Sequence, residues 1–351
     1  MQRRAREERW LAGLITSVVV VGAWGCGSSS TDEDAGGAPH DAGSMATSDA
    51  GSTNDASSPN DAGSLADAGS IDGAASPDAG AAPVDAGSIG VDPHFEVDMT
   101  FATANIGRSY ANRAEMVAAL DRVADAIDAR AGPRLIGWQE IGEGDPCGTC
   151  EIEELEARFT SPWVTQHPRG TRPGGSELVK VPVSARGVGD PAVVRAVFAS
   201  PGWAGVSPTR FVTVARYADR NLSFVNTHFI ASAWSCGSNV AQRRDYWRQA
   251  WSTLKDEVAR EHDRGLNVIV TGDLNRPRAS NDCNPAWDPE TLHPDARVIG
   301  GAGIDYVFAV PAAGWSFAYT RDGGGAIERG DVGLGIDGHR AHWVGGHFTA
   351  P

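Results

Sequence analysis

Residues 27–91 contain no lysine, no arginine and no aromatic residue, and this one stretch decides where a fold can be. It is built mainly from Ser, Gly, Ala, Asp and Pro, and it carries eleven acids. Asp-Ala-Gly recurs at 34, 41, 49, 61, 67, 78 and 85, at irregular spacing, so the repeats do not stack into a solenoid. So little apolar surface cannot offset the entropy of ordering the chain. The stretch is expected to be a solvated tether, and a flexible coil of this length spans roughly 45 Å on average. A packed core must then lie C-terminal to it, in residues 93–351, which suffice for one sizeable core. From Asp92 onward there are 26 basic and 32 acidic residues. That balance is not the basic body of a tight, non-specific nucleic-acid binder, although a local basic groove stays open.

The chain opens 1-MQRRAREERWLAGLITSVVVVGAWGC-26, an arginine-rich head followed by an apolar run from Trp10 to Trp24. This is the pattern of an export signal, too short and too early for a comfortable membrane span. It ends in Ala23-Trp24-Gly25-Cys26, which resembles a bacterial lipobox with an unusual Trp in second place. The resemblance makes Cys26 the lipidated first residue of a mature lipoprotein; the other reading is an ordinary signal peptide cut nearby. The expected organisation is a signal at 1–26, a disordered tether at 27–91 and a folded domain at 93–351. The expected location is a membrane anchor at the cell surface or in the periplasm, or secretion.

Four further cysteines remain: Cys147, Cys150, Cys236 and Cys283. An even number in an exported domain suggests two disulfides. Cys147-Gly-Thr-Cys150 also has the spacing of a redox or zinc motif, but no second CxxC accompanies it. Cys236 lies eight residues after His228, and Cys283 eight after Asn275. If the strands before them end at one sheet edge, these two are neighbours, so the expected pairs are 147–150 and 236–283.

Within the folded part, 96-EVDMTFATANIG-107 alternates as a strand and breaks at Gly107. A helix is expected across 112–133, with Asn112 as its N-cap, Glu115 three residues on, and Met116, Leu120, Val123 and Ile127 on one face. Short strands follow at 134–140 and, as a hairpin, at 210–217 and 222–229. A second helix, from about Asn239 to His262, carries Trp247, Trp251, Leu254 and Val258 on one face. Strand patterns at 267–273, 303–310 and 336–348 complete the reading, while the Gly- and Pro-rich stretch from 143 to 192 shows no clear period. Helices alternate with strands in part, around an antiparallel pair. This argues for an α/β (α+β) protein with mixed sheets.

Six of these segments end in polar residues. They are Asn105; Glu140; Asn226, Thr227 and His228; Asp273 and Asn275; Asp305; and Asp337, His339 and Arg340. One such end is ordinarily a turn former, and one histidine ordinarily a packed ring. Six in one domain, each with a carboxylate, amide or imidazole, argue that they meet at one edge. Asp273 and Asn275 alternate across Leu274 and are expected to share a face. Arg210, Arg216, Arg243, Arg244 and Arg248 are candidates for phosphate contact, with most of them expected on solvated hairpin and helix faces instead, and Trp203 and Trp234 are expected in packing or at a groove.

The ordered motifs ANIG (104–107), WQE (138–140), NTH (226–228), GDLN (272–275), IDYVF (304–308) and DGHR (337–340) resemble those of the endonuclease/exonuclease/phosphatase superfamily, the deoxyribonuclease I-like fold. The resemblance runs from about 97 to 345. It implies a four-layer sandwich of two mixed β-sheets flanked by helices. By resemblance Glu140 is the principal metal ligand, for Mg²⁺ or else Ca²⁺ or Mn²⁺, with Asn105 supporting metal or phosphate. His339 is base or phosphate-polarising cation, oriented by Asp305. His228 donates to phosphate or leaving group, Asp273 is a second acid/base group, and Asn275 a neutral phosphate donor. These types fit phosphodiester hydrolysis, which needs positive charge on the phosphoryl oxygens, a base for water and help for the leaving oxygen. The terminal motif departs from the family, because Gly338 separates Asp337 from His339. Either Gly338 is a bulge that lets Asp337 reach the metal, or Asp337 is a turn residue.

The expected activity is an exported, metal-dependent phosphodiesterase, first of all a DNase I-like endonuclease acting on extracellular nucleic acid. The alternatives are a phospholipase C/sphingomyelinase-type or sugar/inositol phosphate hydrolase of the same fold, and a non-enzymatic surface-binding module. The expected partners are a phosphodiester substrate and, through Cys26, a membrane; the domain is expected to be a monomer.

Overall fold

A computed structural model describes residues 96–143, 150–203, 207–237, 239–335 and 339–351. The expected signal, Cys26 and the tether lie outside the described residues, as do Cys147 and Asp337. The elements, in order, are β1 (Met99–Asn105), α1 (Arg113–Asp128), β2 (Arg134–Gln139), α2 (Cys150–Arg158), β3 (Trp163–Gln166), β4 (Arg169–Arg172), β5 (Gly175–Leu178), β6 (Val183–Arg186), β7 (Val193–Ser200), β8 (Arg210–Tyr217), β9 (Leu222–His228), α3 (Val240–His262), β10 (Asn267–Asp273), β11 (Arg297–Ala302), β12 (Asp305–Val310), β13 (Ser316–Tyr319), β14 (Arg329–Gly333) and β15 (Arg340–Thr349).

One sheet runs β13-β15-β1-β2-β6-β3, with β14 also on β15; the other runs β11-β12-β10-β9-β8-β7. Each is mixed. β1 pairs parallel with β2 and antiparallel with β15, and β10 pairs parallel with β9 and antiparallel with β12. The sheets share a core of Phe101, Leu135, Phe224, Ile269, Val307 and Val344. Outside the first sheet, Met116, Leu120, Val123 and Ile127 of α1 bury against Ala102, Ala104 and Trp138. Outside the second, Trp247, Leu254 and Val258 of α3 bury against Val268, Val270 and Phe308. The result is the four-layer α/β sandwich that the motifs imply.

The helix starts follow local chemistry. The Asn112 side chain accepts from the N–H groups of Ala114 and Glu115, satisfying two donors that the first turn leaves free. Glu115 reaches back to the Ala111 N–H rather than to that of Asn112. α1 ends at Asp128, several residues short of the Gly132-Pro133 stop. The unreadable 143–192 stretch holds α2 and four-residue strands, too short and too rich in Gly and Pro to show a period.

A two-residue period positions the site. The residues facing between the sheets run Phe101, Thr103, Asn105 along β1 and Leu135, Gly137, Gln139 along β2. In the second sheet they run Phe224, Asn226, His228 along β9; Ile269, Thr271, Asp273 along β10; and Ala309, Val307, Asp305 against the direction of β12. Each row is apolar at one end and carries small or neutral residues in the middle; the rows of β1, β9, β10 and β12 end at the same rim in a polar or ionisable group, and that of β2 ends in Gln139.

Candidate active site

The middle of these rows is a hydrogen-bonded belt joining the sheets. Gln139 accepts from the Thr103 hydroxyl at 3.1 Å, and its Nε2 donates to Asn226 Oδ1 at 2.6 Å and to the Gly137 carbonyl at 3.0 Å. Asn226 Oδ1 also accepts from the Thr271 hydroxyl, and its Nδ2 donates to the carbonyls of Trp138 and Pro182. Gly137 makes room for this. A Cβ there would lie 2.1 Å from Thr271 Oγ1 and 2.5 Å from Asn226 Oδ1. Asn226, the first residue of the NTH motif, therefore ties the sheets together and does not face the rim.

One step further, the rim collects charge. Asp273 and Asp305 are opposite each other in the antiparallel β10–β12 pair. Ligand atoms of Asp273, Asp305 and His339 lie within 4.8 Å of one another, and those of Glu140, Glu143 and His228 form a second such group. The groups meet at His228, whose Nε2 is 3.6 Å from Glu140 Oε1 and 3.8 Å from Asp273 Oδ2. Glu140, Asp273, Asp305 and His228 are all buried, while His339 is half-buried at the mouth.

This crowding perturbs the carboxyls. Burial raises Glu140 above its usual range, reinforced by Glu143 and Asp273 and opposed by His228 and Arg108. Asp305 stands well above the usual range, from burial first and then from Asp273 and Glu140. Its Oδ1 is buried without a hydrogen-bond partner. Glu140 also has φ 66°, a left-handed backbone that non-glycine residues rarely adopt. The turn it makes carries the chain from β2 towards Glu143.

Glu143 is the member that the sequence reading missed. Burial works against its charge, but Arg210 and His228 overcome this and hold it at about 2. Arg210, expected on a solvated hairpin face, is buried and donates to Glu143 and to Ser207 Oγ at 2.6 Å. His228 Nδ1 is 3.2 Å from Glu143 Oε1, and its Nε2 is 3.1 Å from the Asn275 amide nitrogen. That amide nitrogen also donates to the Phe229 carbonyl, so it is a donor towards Nε2. His228 Nδ1 is also 2.8 Å from Arg210 Nη1, which can only donate, so the ring is held between a donor at each nitrogen and the Glu143 carboxylate.

Asn105 Nδ2 donates to Asp273 Oδ2 at 2.8 Å, while its oxygen accepts from the Gly107 N–H; in this arrangement it orients Asp273. β10 ends at Asp273. Asn275 stands beyond it in a turn with φ 50°, closed by its own N–H donating to Asp273 Oδ1 at 2.7 Å. The two reach the same side through this turn rather than by strand alternation. Leu274 between them enters the core under α3.

Cys236 and Cys283 form a disulfide with Cα–Cα 5.2 Å, joining the loops that follow His228 and Asn275. Cys150 is disulfide-bonded, and the partner expected for it, Cys147, lies outside the described residues. Arg276, next to Asn275, lies over Trp234, Trp247 and Trp287, with Cζ 3.6, 5.1 and 4.9 Å from the ring centroids. Burial lowers it to about 10. Trp234 therefore packs beneath the loop rather than lining a groove. The other arginines are engaged as well: Arg216 on Glu261, Arg243 over Trp203, Arg244 on the carbonyls of Ala233 and Cys283, and Arg248 on Asp245.

The donor set fits a hard divalent cation. Several carboxylate oxygens converge, Glu140 and Asp305 stay raised despite the cations nearby, and Asp305 Oδ1 and Glu143 Oε2 are buried without hydrogen-bond partners.

No family model matches the sequence, and no curated protein matches it. Among solved structures the chain is similar to an endonuclease/exonuclease/phosphatase from Beutenbergia cavernae DSM 12333, at 14% identity and TM-score 0.48, covering 72% of each chain. It is similar to sphingomyelinase C from Streptomyces griseocarneus, at 14% identity and TM-score 0.48, covering 71% of this chain and 99% of that one. It is also similar to a mannosyl-6-phosphatase from Bacteroides thetaiotaomicron VPI-5482, at 11% identity and TM-score 0.42, covering 72% of this chain and 99% of that one.

Proposed function

We propose that this chain is a metal-dependent phosphoric ester hydrolase, exported and held at a membrane through Cys26, whose substrate is a nucleic-acid phosphodiester. One observation carries the hydrolase reading: Glu140, Asp273 and Asp305 converge at one rim with His228 and His339, under-compensated in charge. Fold maintenance alone does not favour such a centre, because buried like charges destabilise the folded chain.

Glu140 would hold the cation, with Asn105 and, if the 336–338 segment brings it in, Asp337. A bound divalent ion supplies positive charge to the phosphoryl oxygens. Asp305 orients His339, which takes a proton from the attacking water at the mouth of the site. The Asn275 amide donates to a phosphate oxygen without adding charge. His228, held by Glu143 and Asn275, presents Nε2 towards Glu140 and Asp273. Arg108 Nε lies 3.5 Å from Glu140 Oε2 and gives the mouth a cation. Beside Asp305 a cavity of about 330 Å³, lined by Arg278, Tyr306 and the Gly300–Gly303 turn, offers room for the substrate flank.

Nucleic acid is favoured over a membrane lipid by surface composition. Among the described residues, Val164 is the one exposed large hydrophobic side chain, so no apolar wedge for entering a bilayer is present there. The test incubates the full chain with plasmid DNA and, separately, with sphingomyelin vesicles, in Mg²⁺ plus Ca²⁺ and in EDTA. Nicked plasmid, lost in EDTA and in His339→Ala, is the expected result. Phosphocholine release with intact plasmid moves the substrate to lipid, and activity that survives EDTA overturns the metal reading.

A further inference from the structure

At the other end of the second sheet, a set of side chains unrelated to the phosphoester chemistry comes together. His262 ends α3, and His293 and Asp295 lie in the loop before β11. Pro311 follows β12, whose first residue is Asp305, so this cluster stands roughly 20 Å from the carboxylate rim at strand rise. We propose that His262, His293 and Asp295 form a second metal site, for a borderline divalent ion of the zinc class.

Ligand atoms of these residues all lie within 4.8 Å of one another. Asp295 Oδ2 is 3.6 Å from His262 Nε2 and 3.7 Å from His293 Nδ1. Two ligand atoms on a tetrahedral zinc stand roughly 3.4 Å apart, given bonds of about 2.0–2.2 Å. Two of the three separations therefore already approach the metal-bound geometry, and the exposed Asp295 side chain can take up the difference. The imidazole rings are in contact, with centroids 4.3 Å apart.

The hydrogen bonds of the two imidazoles define what a bound ion would displace. His293 Nδ1 accepts the Asp295 backbone N–H at 3.2 Å, so it carries a lone pair rather than a proton, which a bound ion would take in place of that hydrogen bond. His262 Nε2 donates to the Pro311 carbonyl at 3.0 Å. Binding there moves the ring proton to Nδ1 and frees Nε2. Two imidazoles with one carboxylate are the donors of a zinc, nickel or copper site, whereas Mg²⁺ and Ca²⁺ take oxygen. A cavity of about 530 Å³ opens beside His293.

Bound metal would tie the C-terminal end of α3 to the loop before β11. The expected gain is a rise in unfolding midpoint of roughly 5–10 °C at zinc a hundredfold above its Kd. The test titrates Zn²⁺ into the full chain and into His262→Gln and His293→Ala, measuring zinc bound by equilibrium dialysis and the unfolding midpoint. His262→Gln keeps a donor for the Pro311 carbonyl, so folding is preserved while the imidazole is lost. Zinc held at the carboxylate rim is common to all three proteins and cancels. Loss of one zinc equivalent and of the zinc-dependent midpoint rise in His262→Gln is the expected result. Unchanged stoichiometry and midpoint rise in both variants, or no zinc-dependent rise in the wild type, overturns the site.

Discussion

Gln139 and Glu140 are adjacent and both buried, but their surroundings treat them in opposite ways. Gln139 has a partner for its oxygen and two for its nitrogen, all within the belt. Glu140 sits among carboxylates with a raised pKa on a left-handed backbone. Along the strands a belt residue is likewise followed towards the rim by a rim residue: Asn226 and then His228, Thr271 and then Asp273, Thr103 and then Asn105. Each pair lies on one strand and one face, two residues apart. The belt is neutral and saturated, so its polar groups repay their burial. The rim is charged and under-satisfied, so it costs stability and is explained by chemistry. Buried polarity alone does not mark a site; convergent carboxyls raised by burial and by one another do.

The largest expected effect is at the rim. His339→Ala should lower phosphodiesterase turnover about 10²–10⁴-fold, the ordinary contribution of a general base, with little change in the unfolding midpoint. Steady-state hydrolysis of plasmid or a chromogenic phosphodiester measures it. A loss under threefold would remove His339 from the chemistry.

Asp305→Asn should reduce turnover comparably but make the metal-free protein more stable. The wild-type carboxyl is raised, so the folded state binds its proton more tightly than the unfolded state does. Its contribution is present below the ordinary Asp value of about 3.9 and is lost as pH rises towards the folded value. Urea unfolding in EDTA at pH 4 and pH 7 should therefore show the variant gaining on the wild type as pH increases. Equal slopes for the two proteins would break the contrast between rim and belt.

Much of the rim was legible because a strand has period two. Asn105, Glu140, His228, Asp273 and Asp305 were read as strand ends from hydrophobic runs, and each lies at or beside the end of a described strand. Glu143 was not legible. It follows a positive-φ turn in a Gly-rich stretch with no period, and its role depends on Arg210, 67 residues away in sequence. Arg210 itself begins a strand, where an arginine reads as solvated; the turn carrying Glu143 covers it. The belt was missed because Gln139 and Asn226 look like extensions of the catalytic motifs. Only the facing of two sheets shows that they bond each other. The short strands between α2 and β7 carry too few residues to display any alternation.

At the belt the effects should fall on stability. Gly137→Ala puts a Cβ into Thr271 Oγ1 and Asn226 Oδ1, and Asn226→Leu leaves the Gln139 amide and the Thr271 hydroxyl short of partners. Each should cost about 2–4 kcal/mol in urea unfolding, from overpacking or from orphaned polar groups. The Mg²⁺ concentration for half activity should not move in the fraction that remains folded. A shifted metal titration would mean that belt and rim act as one unit.

The smallest effect sharpens the comparison, because it concerns a buried carboxylate that is fully paired. Glu261 accepts two guanidinium N–H groups of Arg216 at 2.8 Å, one of Arg195 at 3.1 Å and one of Arg264 at 3.2 Å. Burial opposes its charge, but Arg216 and Arg195 hold its carboxyl below the usual range. Its sign is thus opposite to that of Asp305. The contribution is present above the ordinary Glu value of about 4.3 and is lost as pH falls through the folded value. Glu261→Gln should destabilise the protein by on the order of 1 kcal/mol at pH 7, less in high salt, and the difference from wild type should shrink on acidification below about pH 4. Urea midpoints measured from pH 3 to pH 7 for Glu261→Gln and Asp305→Asn should diverge in opposite directions from wild type. Parallel curves would show that pairing, rather than burial, is not what separates the inert carboxylate from the reactive one.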